Sequence, residues 1–273
     1  MKPLALLLLA ALVAPSLRAQ AAAGDLLVSP ARVTLDDRER TAELILSNRG
    51  TAADTYRIRL IRMVMDAEGG LKADEAPLPP GAVDPAQLVR FAPHQITLEP
   101  GQTQVLRVML RKPAALPDGE YRVHMLFQAL PQELSGAPPA REKAKGVSIR
   151  LIPIMGLAIP VVVRQGEIQA QPGIGALKLA QAQGHPALDF QLTRAGNASV
   201  YGDLEVVFQP KTGKPVTVGA LNGIAVYPPL PSRHVLLPLE APKGLPLKDG
   251  ALLLTFRVPG DPVPAAEARL ELP

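Results

Sequence analysis

Apolar and polar residues alternate with a period of two along most of this chain, the pattern of strands that bury one face. Across residues 41–47, Ala42, Leu44 and Leu46 share a face, and Asn48, Arg49 and Gly50 then supply a turn. Tyr56, Ile58 and Leu60 alternate with Arg57 and Arg59, as a half-buried antiparallel strand requires. A strand over 105–110 follows the turn-forming residues Glu99, Pro100, Gly101 and Gln102. After another turn at 116–119, Tyr121, Val123, Met125 and Phe127 alternate with Arg122, His124, Leu126 and Gln128. Short strands between proline- and glycine-containing turns predict an all-β fold of the immunoglobulin-like sandwich type.

The stretch after this set is unusual. Residues 131–146 read as a polar, proline-containing loop. From 147 to 164 every odd position is then apolar: Val147, Ile149, Leu151, Pro153, Met155, Leu157, Ile159, Val161 and Val163. The even positions begin polar with Ser148 and Arg150 but continue through Ile152, Ile154, Ala158 and Val162. Such a run far exceeds the usual strand of about 5–6 residues. Pro153 and Pro160 have no N–H to donate, which places them on an edge or at a bend. The expectation is a long edge strand with one wholly apolar face. Val161 and Val163 are expected to line their own core. Residues 149–155 exceed what one sandwich needs, and their apolar phase either faces their own core or is left for a partner.

A second strand-rich set starts near Gln165, with strands expected at 188–192, 200–208, 216–218, 235–239, 251–258 and 268–272. The division that follows is an export segment at 1–21, a sandwich domain at 22–164 and a second at 165–273. Composition agrees: 47% hydrophobic and 20% charged residues in 273 suffice for two packed cores. Thirty prolines and 22 glycines exclude an all-helical bundle. Lys2, the apolar run from Leu4 to Val13, and Ala19, Gln20 and Ala21 form the three parts of a signal peptide cleaved before Ala22. The run is too short for a membrane span of about 20 residues. Removing this segment takes away Lys2 and Arg18 and leaves only a small positive excess. No cluster of basic residues suggests nucleic acid. The chain has no cysteine, which excludes disulfides and suits export to a bacterial periplasm.

Motifs of catalysis are missing. There is no nucleophile elbow, no zinc-protease motif and no glycine-rich phosphate loop ahead of a helix. His94, His124, His185 and His234 lack metal-ligand spacing. His124 lies on the polar phase of its strand and is expected to be solvated. The expectation is a protein that is not an enzyme and carries neither cofactor nor metal.

Several segments in sequence order carry a resemblance. Ser29 and Pro30 open a strand that contains Arg32 and Val33; Leu44 to Asn48, Leu98 to Gln102 and Leu116 to Arg122 follow. In the second half, the segment from Leu192 through Asn197, Ser199 and Tyr201 fits the same order. The chain resembles the PapD-like periplasmic chaperones of pilus and fimbria assembly. That resemblance implies two immunoglobulin-like domains set at an angle, with a pilin-type subunit bound mainly to the first. It implies that the last strand of the first domain is lent to a subunit lacking one strand of its own. Ile149, Leu151, Pro153 and Met155 would then be a row of plugs for the subunit's groove. Arg32 matches the family's cleft arginine, which anchors the subunit's terminal carboxylate; an ordinary solvated arginine is the other reading. Pro160 stands where the family has a lysine, and Arg164 lies about 13 Å further along an extended strand. The implied partners are pilin or fimbrial subunits and an outer-membrane usher, with a homodimer or the 131–146 loop capping the apolar strand when no subunit is bound. The alternative is a periplasmic structural or adhesion module that uses the same edge for a permanent partner.

Overall fold

Two separate apolar cores organise the chain. The computed structural model describes residues 21–23, 25–113, 115–130, 155–242 and 245–273. The first core is enclosed by β1 (Ala21–Ala23), β2 (Leu26–Ser29), β3 (Val33–Leu35), β4 (Thr41–Asn48), β5 (Asp54–Ile61), β8 (Val89–Ala92), β9 (Gln95–Leu98), β10 (Thr103–Leu110), β11 (Gly119–Ala129) and β12 (Gly156–Gln165), while β6 (Met63–Met65) and β7 (Leu71–Ala73) form a separate hairpin. One sheet has the order β1–β2–β4–β10–β8, the facing one β3–β12–β11–β5–β9. Leu44, Leu46, Leu106 and Val108 from one sheet and Ile58, Val123, Met125 and Phe127 from the other join a single buried cluster. The alternation in the sequence is the alternation of these faces.

Two polar residues fix the corners of this sandwich. Tyr121, at the start of β11, donates its hydroxyl to the Pro117 carbonyl at 2.8 Å, the tyrosine-corner contact of immunoglobulin-like folds. Asn48 is fully buried and satisfied: its Nδ2 donates to the carbonyls of Ala52 (2.8 Å) and Leu98 (2.9 Å), and its Oδ1 accepts from the Gly50 N–H (2.8 Å).

The chain changes sheets between β2 and β3. β2 pairs antiparallel with β4, whereas β3 runs parallel to β12. Pro30 lies between them and, lacking an N–H, ends the first ladder. The crossing carries Arg32 to the end of the sandwich that meets the second one. β12 therefore has β3 along Val161–Val163, and among the described residues no strand is paired to that side of Gly156–Pro160, although β1 lies close by. Val161 and Val163 are buried in their own core as expected, with Ile159 beside them. The expected export segment at 1–21 lies outside the described residues except for Ala21, which stands in β1, and the loop at 131–146 and the apolar stretch at 147–154 lie wholly outside them.

The second core is enclosed by β13 (Ala170–Ala182), β14 (His185–Gly196), β15 (Val200–Pro210), β16 (Val216–Val226), β17 (Ser232–Pro238), β18 (Gly250–Arg257) and β19 (Ala266–Leu272). A β13–β14–β17 sheet packs on a β16–β15–β18–β19 sheet around Phe190, Phe208 and Phe256. Thus the chain folds as two immunoglobulin-like β-sandwiches. Gly196 closes β14 with φ of +97°, and a Cβ there would stand 2.2 Å from the Gln169 carbonyl oxygen. Only glycine fits this close approach. Next to it, Asn197 donates to the Glu167 carbonyl and accepts from the Gln169 N–H, both at 2.8 Å, tying the inter-sandwich linker to the second half.

Candidate functional site

With β1 close by, the β12 edge opposite β11 is unpaired before Val161 among the described residues. Its register with β11 runs from Gly119 opposite Gln165 to Gln128 opposite Gly156, and the Ala129 N–H donates to the Met155 carbonyl at 3.0 Å. In an antiparallel ladder alternate residues bond to the neighbour, so the odd residues of β12 turn their backbone towards β11. Gly156, Ala158 and Pro160 point theirs the other way, where β3 has not yet begun. Pro160 costs no ladder bond in that position, which is why the strand tolerates it. The odd side chains face the core: Ile159 is buried and Leu157 packs against it. Met155 continues that phase but is 55% exposed, because the sandwich has ended.

The opposite face of the same sheet meets the second sandwich. Pro160, Val162 and Arg164 lie there beside His124, Arg122 and Glu120 of β11. Tyr227, just after β16, enters this face. Its hydroxyl accepts from Arg32 Nη1 at 3.0 Å, its ring lies 3.9 Å from the Arg122 guanidinium carbon, and it meets the His124 ring edge-on at 6.3 Å. Arg32 Nη2 donates to Ser199 Oγ at 3.2 Å, and its guanidinium stacks 4.4 Å over Tyr201. Ser199 in turn donates to Glu120 Oε2 at 2.8 Å, an oxygen 3.4 Å from Arg164 Nε. The hairpin of β6 and β7 provides a further clamp: the His234 N–H donates to the Ala67 carbonyl (2.7 Å) and Arg233 Nη2 to that of Glu68 (3.1 Å). Met65 packs with Ala225 and Tyr227 beneath it.

Charge at this junction is unbalanced. Arg32, Arg122 and Arg164 gather near the carboxylate of Glu120, whose side chain is buried. Burial pulls Arg122 below its usual basicity, opposed by Tyr227 and Glu120. His124 is likewise pulled down to about 3 by burial, with Arg122 and Arg32 adding to the effect. Its Nε2 lies 3.5 Å from Arg122 Nη1; an arginine can only donate, so the proton belongs on Nδ1, which has no partner among the described residues. His124 is thus buried, contrary to the expectation of a solvated histidine: the polar phase of β11 faces a second domain rather than water. Arg32, Thr34 and Arg164 on one side and Ser199, Tyr201 and Phe256 on the other line a cleft of about 440 Å³. A water-accessible concavity with excess guanidinium charge attracts anions.

Of the residues singled out in the sequence, Arg32 lies in this cleft and Met155 is exposed at the far end of the open edge. Ile149, Leu151 and Pro153 lie outside the described residues. Arg32 neighbours the Pro160 end of β12, so it stands roughly 17 Å along the strand from Met155. Arg164 does reach the cleft that Arg32 lines, although its Nε is engaged by Glu120. Arg122, Glu120 and Tyr227 were not signalled by the sequence pattern. A hint existed, since Tyr201 and Tyr227 are two of only 4 tyrosines in the chain.

Fold and junction together define a two-domain, immunoglobulin-like all-β protein. Neither a family model nor a curated protein sequence matches it. Similar solved structures include the E. coli chaperone DraB, at 14% identity over 90% of this chain and 98% of that one, with a TM-score of 0.42. They also include the CsuC–CsuE chaperone–tip adhesion subunit pre-assembly complex from archaic chaperone–usher Csu pili of Acinetobacter baumannii, at 14% identity over 90% of this chain and 97% of that one, TM-score 0.42. The Salmonella enterica SafA pilin in complex with the SafB chaperone is a third, at 14% identity, 90% and 96% coverage and a TM-score of 0.41.

Proposed function

We propose that this chain is a periplasmic chaperone that binds, folds and caps pilin-like subunits by donating an edge strand, and hands them to an outer-membrane usher. In this reading residues 1–21 direct export, 22–164 form the subunit-binding domain and 165–273 the second sandwich. The observation that carries it is the edge of β12 from Gly156 to Pro160, unpaired among the described residues, which leads to the exposed Met155 on the apolar phase of Leu157 and Ile159. Inside the sandwich this phase fills the chain's own core; beyond it, Ile149, Leu151, Pro153 and Met155 would fill a subunit's groove. Each large apolar side chain fully buried there contributes about 1.5–3 kcal/mol before ordering costs. Backbone pairing along the edge is indifferent to sequence, so one chaperone can hold several related subunits. Arg32, in a cleft with excess positive charge, would anchor the subunit's terminal carboxylate.

Periplasmic co-expression with candidate subunits, followed by affinity capture, tests the reading. Leu151→Asp should abolish co-purification of the subunit while the free chain stays folded. Capture at wild-type affinity would reject the donor assignment. A permanent structural module would instead be found in stoichiometric amounts in purified surface fibres, whereas a chaperone would be absent from them.

A further inference from the structure

Arg32 is held at its far end by three residues of the second sandwich, none of them charged. Nη1 donates to the Tyr227 hydroxyl at 3.0 Å, Nη2 to Ser199 Oγ at 3.2 Å, and the guanidinium plane stacks over Tyr201 at 4.4 Å. Among the described residues, each terminal nitrogen keeps a second N–H and Nε keeps its own, so the fork still has donors for a ligand. Neutral acceptors orient the guanidinium without cancelling its charge, which a carboxylate partner would do. Tyr227 is itself immobilised. Arg122 lies 3.9 Å from its ring centroid, His124 meets it edge-on, and Met65 and Ala225 pack with it in a buried cluster.

We propose that Tyr227 is a positioning residue for carboxylate capture: its hydroxyl, with that of Ser199, fixes the Arg32 fork so that its remaining N–H groups face the cleft. The second sandwich thereby sets the geometry of a contact made by the first. This inference rests on Arg32 being the carboxylate anchor. A flexible arginine must lose rotamer freedom when it grips a ligand, and here that loss has already occurred in the free protein.

The test uses the full chain and two probes: an alternating valine–threonine heptapeptide ending in a free carboxylate, and the same peptide ending in an amide. Wild type should prefer the acid form. Tyr227→Phe keeps the ring and deletes the acceptor, and it should lower that preference roughly three- to tenfold, the net worth of one hydrogen bond, with amide binding unchanged. Ser199→Ala should act in the same direction, giving a second route if the phenylalanine variant fails to fold. Arg32→Ala should abolish the preference, and adding Tyr227→Phe to it should change nothing further. If Tyr227→Phe weakens both peptides equally, or adds to Arg32→Ala, the residue only packs and the proposal fails while the anchor stands. If Arg32→Ala retains the preference, or wild type has none, the anchor reading falls and takes this inference with it.

Discussion

His124 sits between Arg122 and Tyr227 with Arg32 close by, in a place where a second proton would find no welcome. Its folded-state pKa is about 3, against 6.5 for the free imidazole. Below the unfolded value, the unfolded chain binds the proton and the folded chain refuses it. Stability from this group is therefore complete above about pH 6.5 and is lost as pH falls towards 3, at up to about 1.4 kcal/mol per pH unit. His124→Gln should flatten that dependence. Urea denaturation at about pH 7 and about pH 4.5 would show it, and equal acid losses in variant and wild type would reject the account. The sequence marked Arg32 through the adjoining Ser29 and Pro30, but it misread His124. A polar phase says which residues leave the core; it is silent on whether water or another domain meets them.

At the scale of elements, most strands were legible because period-two alternation and burial coincide, as in β4, β5 and β11. β13 was not. Its segment holds Pro172, Gly173 and Gly175, and its register slips between Gly175 and Lys178, with Ala176 at φ of +54°. A bulge shifts the phase by a residue and erases the alternation that would betray a strand. β12 was legible as unusual, yet β3 could not be foreseen as its parallel neighbour, since pairing between distant segments leaves no local trace. Its open edge makes a specific claim. Ala158 turns its N–H away from β11 and no described strand pairs with it, so Ala158→Pro should remove a donor available to a partner strand. Subunit affinity should drop roughly two- to tenfold while the free chain's Tm stays near wild type. Titration of a captured subunit by calorimetry measures this, and unchanged affinity would mean that the subunit does not pair there.

Across the whole molecule, the two sandwiches are joined by a network that one acid holds together. Glu120 accepts from Ser199 and pairs with Arg164 while two further guanidinium groups lie near. Glu120→Gln removes the buried negative charge that Ser199 and Arg164 engage and should cost about 1–3 kcal/mol in urea denaturation. A variant as stable as wild type would show that solvent already screens these charges. The two-domain plan was readable from turns and strand spacing. Which surfaces face each other was not, because Tyr227 and the β6–β7 hairpin are brought together only by the docking itself.

That hairpin bears on how such chains can be cut and recombined. With Ala67 and Glu68 gripped by His234 and Arg233, scissors at residue 165 would not yield two self-sufficient halves. Each fragment would carry raw surface, Met65 on one and Tyr227 on the other. A chimera that swaps one half between related proteins must therefore bring its matching contact residues along, or inherit a mismatched seam.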